Sequence, residues 1–448
     1  MFVNLADPLG GRQQPWGETW YQPLLHYVMA IFFVVLPLTD VTARLPMALI
    51  AGLVTPVLLY LLARRIIGRT FPAVVAALIV ALAPTHVVLG RQALDYLLPL
   101  PFVVGWLWCL HGFMQTQEPK HLTRGGLLLG LGCYSYLASW ALMPAFLVLT
   151  LIIACRTVAF RPAVPAVIAF SILVLVAALW ILAHPEMIEQ TVTRYGVTEG
   201  PKYGFFETYL SMLHPNILFV RGGPSLVTST ARSGFVLAPV ALLLLAGFVE
   251  LWRRKDWVAA VIVAGLVLSP LPAAFKGEPS MIQRATYLLP FLGLLGGVGV
   301  VWLWRAPLTR AAAIAALALA PIQFGYFYFD YFTHYKFRSA FYYDNVAFRD
   351  VAAHLMSPGT APAFYFDEEL DDVSVKWRYY TMKSGREDLL TRTSYLEPGT
   401  VPAATPGTLL VVYDRASRLD TLKAAGWVVD KQILDVDNRL AAMILRKL

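Results

Sequence analysis

The chain has 448 residues, of which 58% are apolar and only 14% charged. Soluble domains carry about a quarter charged residues, so this composition excludes an ordinary soluble enzyme and indicates a chain built for lipid. The net charge of +8 does not indicate nucleic acid: residues 330–448 hold 16 acids and 15 bases, and the surplus bases before them sit in short clusters between apolar runs, as membrane topology requires.

The opening Met1-Phe2-Val3-Asn4-Leu5-Ala6-Asp7 has neither a basic leader nor a continuous apolar core, so no signal peptide is expected. Residues 20–38 are apolar, with Trp20, Tyr21, His26 and Tyr27 at one end. Those side chains suit headgroup depth, so the segment is expected to lie as an interfacial helix on the outer face, an ordinary span being the alternative. Charge-free runs then follow at 45–63, 71–90, 96–117, 162–183, 234–249, 257–275, 285–304 and 311–329. Each approaches the roughly 20 residues that a spanning helix needs. The stretch 125–155 is too long for one helix and tight for two; Ser135, Ser139 and Trp140 ahead of Pro144 offer a turn in its middle.

Five basic clusters decide orientation: Arg64, Arg65 and Arg69; Lys120 and Arg124; Arg156 and Arg161; Arg253, Arg254 and Lys255; Arg305 and Arg310. Placing all five in the cytoplasm satisfies the positive-inside rule and forces 125–155 to cross twice. The expected fold class is an all-α polytopic membrane protein of about ten spans with external termini and an external interfacial helix. Residues 1–44 form an external juxtamembrane segment, 45–329 the membrane domain with an external loop at 184–233, and 330–448 a small extracytoplasmic α/β domain. In that tail 363–366 and 408–413 read as buried strands, 415–427 as a helix ending at Gly426, and 428–446 as a terminal hairpin.

No Walker loop, GxSxG, HExxH or paired CxxC occurs, and Cys109, Cys133 and Cys155 read as small buried hydrophobes. The chemistry-bearing residues are polar groups at external helix ends, where ionisable side chains are costly to keep. Arg91-Gln92-Ala93-Leu94-Asp95-Tyr96 follows His86 and puts an acid beside a base. The pair suits a divalent ion with a phosphate, Asp95 being the metal candidate, or a salt bridge that ends two helices. Lys276-Gly277-Glu278-Pro279 and then Gln283-Arg284 offer cations for a lipid phosphate, or simple snorkelling anchors. At the N-terminus Asp7, Arg12, Glu18, Tyr21, Gln22 and Pro23 form a third group, in which Asp7 or Glu18 suits a general base. His184, Glu186, Arg194 and Tyr195 open the long loop. Later in it, Arg221-Gly222-Gly223-Pro224 either lets backbone approach a ligand or makes a turn.

Five stretches in order resemble the C-type glycosyltransferase superfamily, the polyprenyl-phosphate-sugar-dependent enzymes related to protein O-mannosyltransferases and aminoarabinose transferases. They are YQPLLHYVMAIFFVVLPLTDVTARLPMALIAGLVTPVLLYLLARRIIG, ALAPTHVVLGRQALDYLLP, LLLGLGCYSYLASWALMP, NILFVRGGPSLVTSTARSG and LPAAFKGEPSMIQRATYLLP. The resemblance implies transfer of a sugar from a polyprenyl-phosphate donor to a lipid, glycan or protein acceptor, at a bacterial inner (plasma) membrane. It implies Arg284, with Lys276 and Arg91, at the donor phosphate, and Asp95 as the second-loop acid. Tyr21, Gln22, Glu278 and Arg221 become candidate substrate contacts, and Glu18 a candidate catalytic acid. A divalent metal is the one cofactor considered. The family's first span and its Asp-Glu motif would lie upstream of Gln22, before the first residue here, so the base role is not transferred to Asp7. Truncation, a misassigned start or an inactive copy would each account for this. Two rival classes remain: a lipid or solute transporter, which favours internal repeats and mid-span charges, and an inactive scaffold that presents the tail.

Overall fold

The computed structural model describes residues 3–4, 20–157, 161–194, 203–344, 347–357, 361–367, 373–397, 399–412 and 416–448. Met1–Phe329 form one unit and Asp330–Leu448 a second.

The first unit is built mainly of apolar helices. The helices are α1 (Pro23–Val35), α2 (Asp40–Ile67), α3 (Thr70–Ala81), α4 (Pro84–Gly90), α5 (Leu100–Thr116), α6 (Pro119–Gly132) and α7 (Ser139–Thr157). They continue as α8 (Val164–Ala183), α9 (Val240–Arg254), α10 (Trp257–Leu268), α11 (Leu271–Lys276), α12 (Leu288–Leu303) and α13 (Pro307–Thr333). On α8 the exposed face is Ile168, Ile172, Leu175, Val176 and Leu179, while Ala166, Ala169, Phe170 and Ala177 pack inward. An outward face of aliphatic side chains at helical spacing is stable only in lipid. The chain is a multi-pass membrane protein.

Among the described residues six helices are long and apolar enough to cross a membrane, or seven if the pair α3 and α4, bent by 57°, is one span. The expected number was about ten. The other three expected crossings are α6, α9 and α12, of 14, 15 and 16 residues. At 1.5 Å per residue they reach about 21–24 Å, short of a hydrocarbon core of about 30 Å. Helix α1, with 13 residues, is shorter still and does not suit an ordinary span. Residues 125–155 do divide into two helices, but the break falls at 133–138, and Trp140 and Pro144 already lie inside α7. Cys109 and Cys133 are buried as expected, whereas Cys155 is exposed.

Glycine lets α12 run through the middle of the unit. A Cβ on Gly299 would strike the Leu243 carbonyl of α9, and one on Gly247 of α9 would strike the Leu295 carbonyl of α12. One on Gly297 would come within 2.9 Å of the Pro72 carbonyl of α3. Backbones approach this closely only where side chains are missing, the usual device for packing helices that lipid does not push together.

Contacts at the helix ends sort the unit into two ends. At one, Arg65 lies over Trp108, 4.7 Å from its ring centre, and the rings of His111 and Trp257 are 5.7 Å apart. Arg305 bonds Glu250 at 2.7 Å, and Phe71 packs on Trp304 at 4.9 Å. A Cβ on Gly112 would touch the His121 ring, and one on Gly126 the Ala166 carbonyl. These contacts gather all five basic clusters at that end.

The second unit holds a five-stranded sheet. Its strands are β1 (Phe364–Asp367), β2 (Thr393–Leu396), β3 (Leu409–Val412), β4 (Trp427–Leu434) and β5 (Leu440–Lys447), in the order β2-β1-β3-β5-β4. β1 pairs parallel to β2 and β3; β5 runs antiparallel to β3 and β4. Phe348, Phe364, Phe366 and Trp377 pack as one buried cluster, and Leu410, Val412, Leu422 and Trp427 as another. The strands read at 363–366 and 408–413, the helix after them (Ala416–Ala424) and the terminal hairpin are all present. The strand Thr393–Leu396 and the helices Phe348–Leu355 and Val373–Lys383 were not read from the sequence.

Candidate active site

The end opposite the basic clusters is polar, and three breaks in the helices meet there. The first is the 3₁₀ turn Asp95–Leu97, which leads into α5 behind Pro99. The second is the break at 133–138, where the Ser135 hydroxyl donates to the Gly132 carbonyl at 2.5 Å and competes with the helical ladder. The third is the 3₁₀ turn Ile282–Arg284, which leads into α12. The Thr286 hydroxyl donates to the Tyr96 carbonyl at 2.9 Å, and Ser139 and Tyr287 share a hydroxyl–hydroxyl bond of 2.6 Å. These bonds fix the three breaks to one another.

Tyr136 sits at their junction. Its ring meets that of Tyr96 edge-on at 5.4 Å, and it lies within electrostatic reach of Arg284, Tyr96, Asp95 and Tyr287. Asp95 and Arg284, both half-buried, therefore stand on two breaks tied to the one that carries Tyr136, although 189 positions separate them in the chain. An acid, a guanidinium and a buried phenol at the mouth of apolar helices can receive an anionic headgroup whose tail stays in lipid.

The other expected site residues take different places. Arg91 is exposed, while its neighbour Gln92 is buried and donates from Nε2 to the Val227 carbonyl at 2.5 Å, tying down the loop after Arg221. Lys276 and Glu278 form an ion pair of 3.3 Å within their own loop. Arg221 is exposed; Gly222 has φ +72°, and a Cβ on Gly223 would come within 2.9 Å of the Ser280 carbonyl. Gly222 thus takes a left-handed backbone and Gly223 packs the loop closely against Ser280. Tyr21 packs its ring on His26 at 5.7 Å. Gln22 is buried; its Oε1 accepts from the Trp140 indole at 3.3 Å, and its carbonyl accepts from His26 Nδ1 at 3.1 Å. Together with the bond from Leu24 N to the Tyr134 carbonyl at 3.2 Å, this fastens the start of α1 to the break at 133–138. His184 pairs with Glu186 at 3.3 Å. Asp7, Arg12, Glu18 and Tyr195 lie outside the described residues, as does the side chain of Arg194.

No group of three or more His, Cys, Asp or Glu suited to a metal occurs among the described residues. Tyr136 and Tyr287 escape sequence reasoning because an aromatic residue in an apolar stretch reads as a lipid or core contact. The serines around Tyr136 were the one visible signal, and they read as a turn.

The fold and site define a multi-pass helical membrane protein with a polar centre at one end of its bundle and a small α/β unit at its C-terminus. Residues 15–181 match the family model described as dolichyl-phosphate-mannose-protein mannosyltransferase. The whole fold is similar to the crystal structure of ArnT from Cupriavidus metallidurans in the apo state, with 15% sequence identity and a TM-score of 0.58. That similarity covers 96% of this chain and 88% of ArnT. No curated protein matches the sequence. The family-model match covers residues 15–181 alone, and the likeness to ArnT is one of fold.

Proposed function

We propose that this chain transfers a sugar from a polyprenyl-phosphate donor to a lipid, glycan or protein hydroxyl on the extracytoplasmic face of a bacterial inner membrane. The observation that carries the reading is that the helix breaks bearing Asp95, Tyr136 and Arg284 are tied to one another, at the end of the bundle opposite all five basic clusters. If those clusters face the cytoplasm, the site faces outward. The family model of residues 15–181, whose name specifies a dolichyl-phosphate-mannose donor and a protein acceptor, supports the donor class.

The chemistry follows from where charge develops. When the bond between sugar C1 and phosphate oxygen breaks, its electron pair stays on the phosphate. A guanidinium fixed beside that oxygen favours the transition state over the ground state. Arg284 takes this role because a planar fork matches two phosphate oxygens. The acceptor oxygen forms the new bond to C1, and its proton passes to the Asp95 carboxylate. The prenyl tail enters between the apolar helices from the bilayer.

Reconstituting the full chain in liposomes with a panel of polyprenyl-phosphate sugars tests the reading. Wild type should consume one donor and transfer its sugar. Asp95→Asn should lower kcat by about 10²-fold or more, and Arg284→Gln should both raise KM and lower kcat, by about 10²-fold together. Arg310→Gln, at the opposite end, should change neither. Turnover untouched by the first two variants would overturn the site assignment.

A further inference from the structure

Three tyrosines stand at or beside the break that carries the site, and they differ in what their hydroxyls do. Tyr134 donates to the Leu173 carbonyl at 2.5 Å, and Tyr287 shares its bond with Ser139 at 2.6 Å. Both are structural ties. Tyr136 is only 6% exposed, yet its hydroxyl bonds to none of the described residues. A phenol largely removed from water, with no described residue on its hydroxyl, has its one donor open to a ligand or water. Its neighbours narrow the choice. Arg284 supplies a positive charge, Tyr96 closes one side with its ring, and Asp95 stands on the same centre as an acid. A phenol ordinarily titrates near about 10, so at neutral pH it carries its proton and donates. A donor beside a guanidinium matches an anionic oxygen.

We propose that Tyr136 is a catalytic residue that donates a hydrogen bond to the carrier phosphate held by Arg284. The inference rests on the donor class proposed above and deepens it. As the C1–oxygen bond breaks and the electron pair moves onto the phosphate, the Tyr136 hydroxyl keeps its proton and shortens its bond to the more negative oxygen. No proton is transferred at that step. The same contact survives in the released carrier, so Tyr136 also recognises a polyprenyl monophosphate that bears no sugar. The hydroxyl chain Ser135–Ser139–Tyr287, with links of 3.3 and 2.6 Å, holds the break on which Tyr136 is carried.

The test uses the full chain in detergent with undecaprenyl monophosphate, binding being read by native mass spectrometry and by the ³¹P shift of the bound phosphate. Tyr136→Phe removes one oxygen that bonds to none of the described residues, so its melting temperature should stay that of wild type. Its affinity for the monophosphate should fall about tenfold or more, as expected for a lost bond to a charged group. Tyr134→Phe should do the reverse, lowering the melting temperature and leaving affinity alone. Equal affinity of wild type and Tyr136→Phe would overturn the role of Tyr136 and leave the donor class standing. A variant that melts far below wild type would show that the hydroxyl serves the fold instead. Failure of folded wild type to bind the monophosphate would overturn the donor class and this role together.

Discussion

Gln22 shows how a single residue changes meaning once its partners are known. In the sequence, its place in QPLLHY makes it a candidate substrate contact. In the structure its side chain accepts from Trp140 and its carbonyl from His26, so it anchors α1 against the break that carries Tyr136. Gln22→Leu would remove the bond to the Trp140 indole in a partly buried place, at a cost of about 1–3 kcal/mol. The expected result is a lower melting temperature, with turnover reduced because the break loosens. Wild-type melting in that variant would show that the bond contributes nothing. Asp95 and Arg284 were legible as candidates because charges beside apolar runs stand out by their cost. That their two helix ends are tied together was not legible, since nothing in local pattern joins residues so far apart in the chain. Tyr136 was hidden for a different reason: its polar atom is one oxygen on an apolar ring.

At the scale of the helix, α12 explains where reading by length loses accuracy. Its run of leucines and glycines reads as a span, and it forms a helix of 16 residues between the end that holds Arg284 and the end that holds Arg305, buried among α3, α9 and neighbouring helices. Hydropathy reports apolarity but not whether neighbours or lipid surround the helix. That is why ten apolar stretches yield six or seven helices that satisfy the length of a bilayer. Glycine spacing carries the missing information. Gly299→Leu would push a branched side chain into the α9 backbone, and overpacking of this kind costs about 1–3 kcal/mol or more. A fall in melting temperature and loss of turnover are expected. Gly325→Ala, where a Cβ meets nothing within 4 Å, should leave both unchanged. In the second unit, alternation and length revealed the longer strands. Thr393–Leu396 was missed because four exposed or half-exposed residues at a sheet edge show no run of apolar side chains.

At the scale of the molecule, the two units answer to different solvents. The Asp330–Leu448 unit is held partly by charge: Asp430 accepts from Arg446 Nε at 2.8 Å and pairs with His354 Nε2 at 2.8 Å. The Arg446 bond holds the Asp430 carboxyl below the usual carboxylate range; burial opposes this, and His354 adds a smaller pull the same way. A carboxylate depressed on folding stabilises the fold above its unfolded value of about 3.9, and that contribution disappears as pH falls through the lower folded value. The hairpin β4–β5 should therefore open on acidification below about pH 4. Asp430→Asn should exchange amide hydrogens faster at neutral pH and lose that acid sensitivity. Hydrogen exchange of the two strands in the full chain, corrected for intrinsic rates, measures both; identical exchange in wild type and variant would remove the triad from the account.

The membrane unit carries the central claim, and its two ends make the claim directional. Gathering every basic cluster at one end and the Asp95–Tyr136–Arg284 centre at the other is the arrangement expected of an enzyme that works on the outer surface with a carrier held in the bilayer. The most direct measurement is the fate of a labelled polyprenyl-phosphate sugar in liposomes containing the purified full chain. The account predicts consumption of the donor, appearance of the free carrier monophosphate, and loss of both when Arg284 is replaced by Gln. A folded protein that leaves every donor intact, or an Arg284→Gln variant that works as fast as wild type, would contradict it.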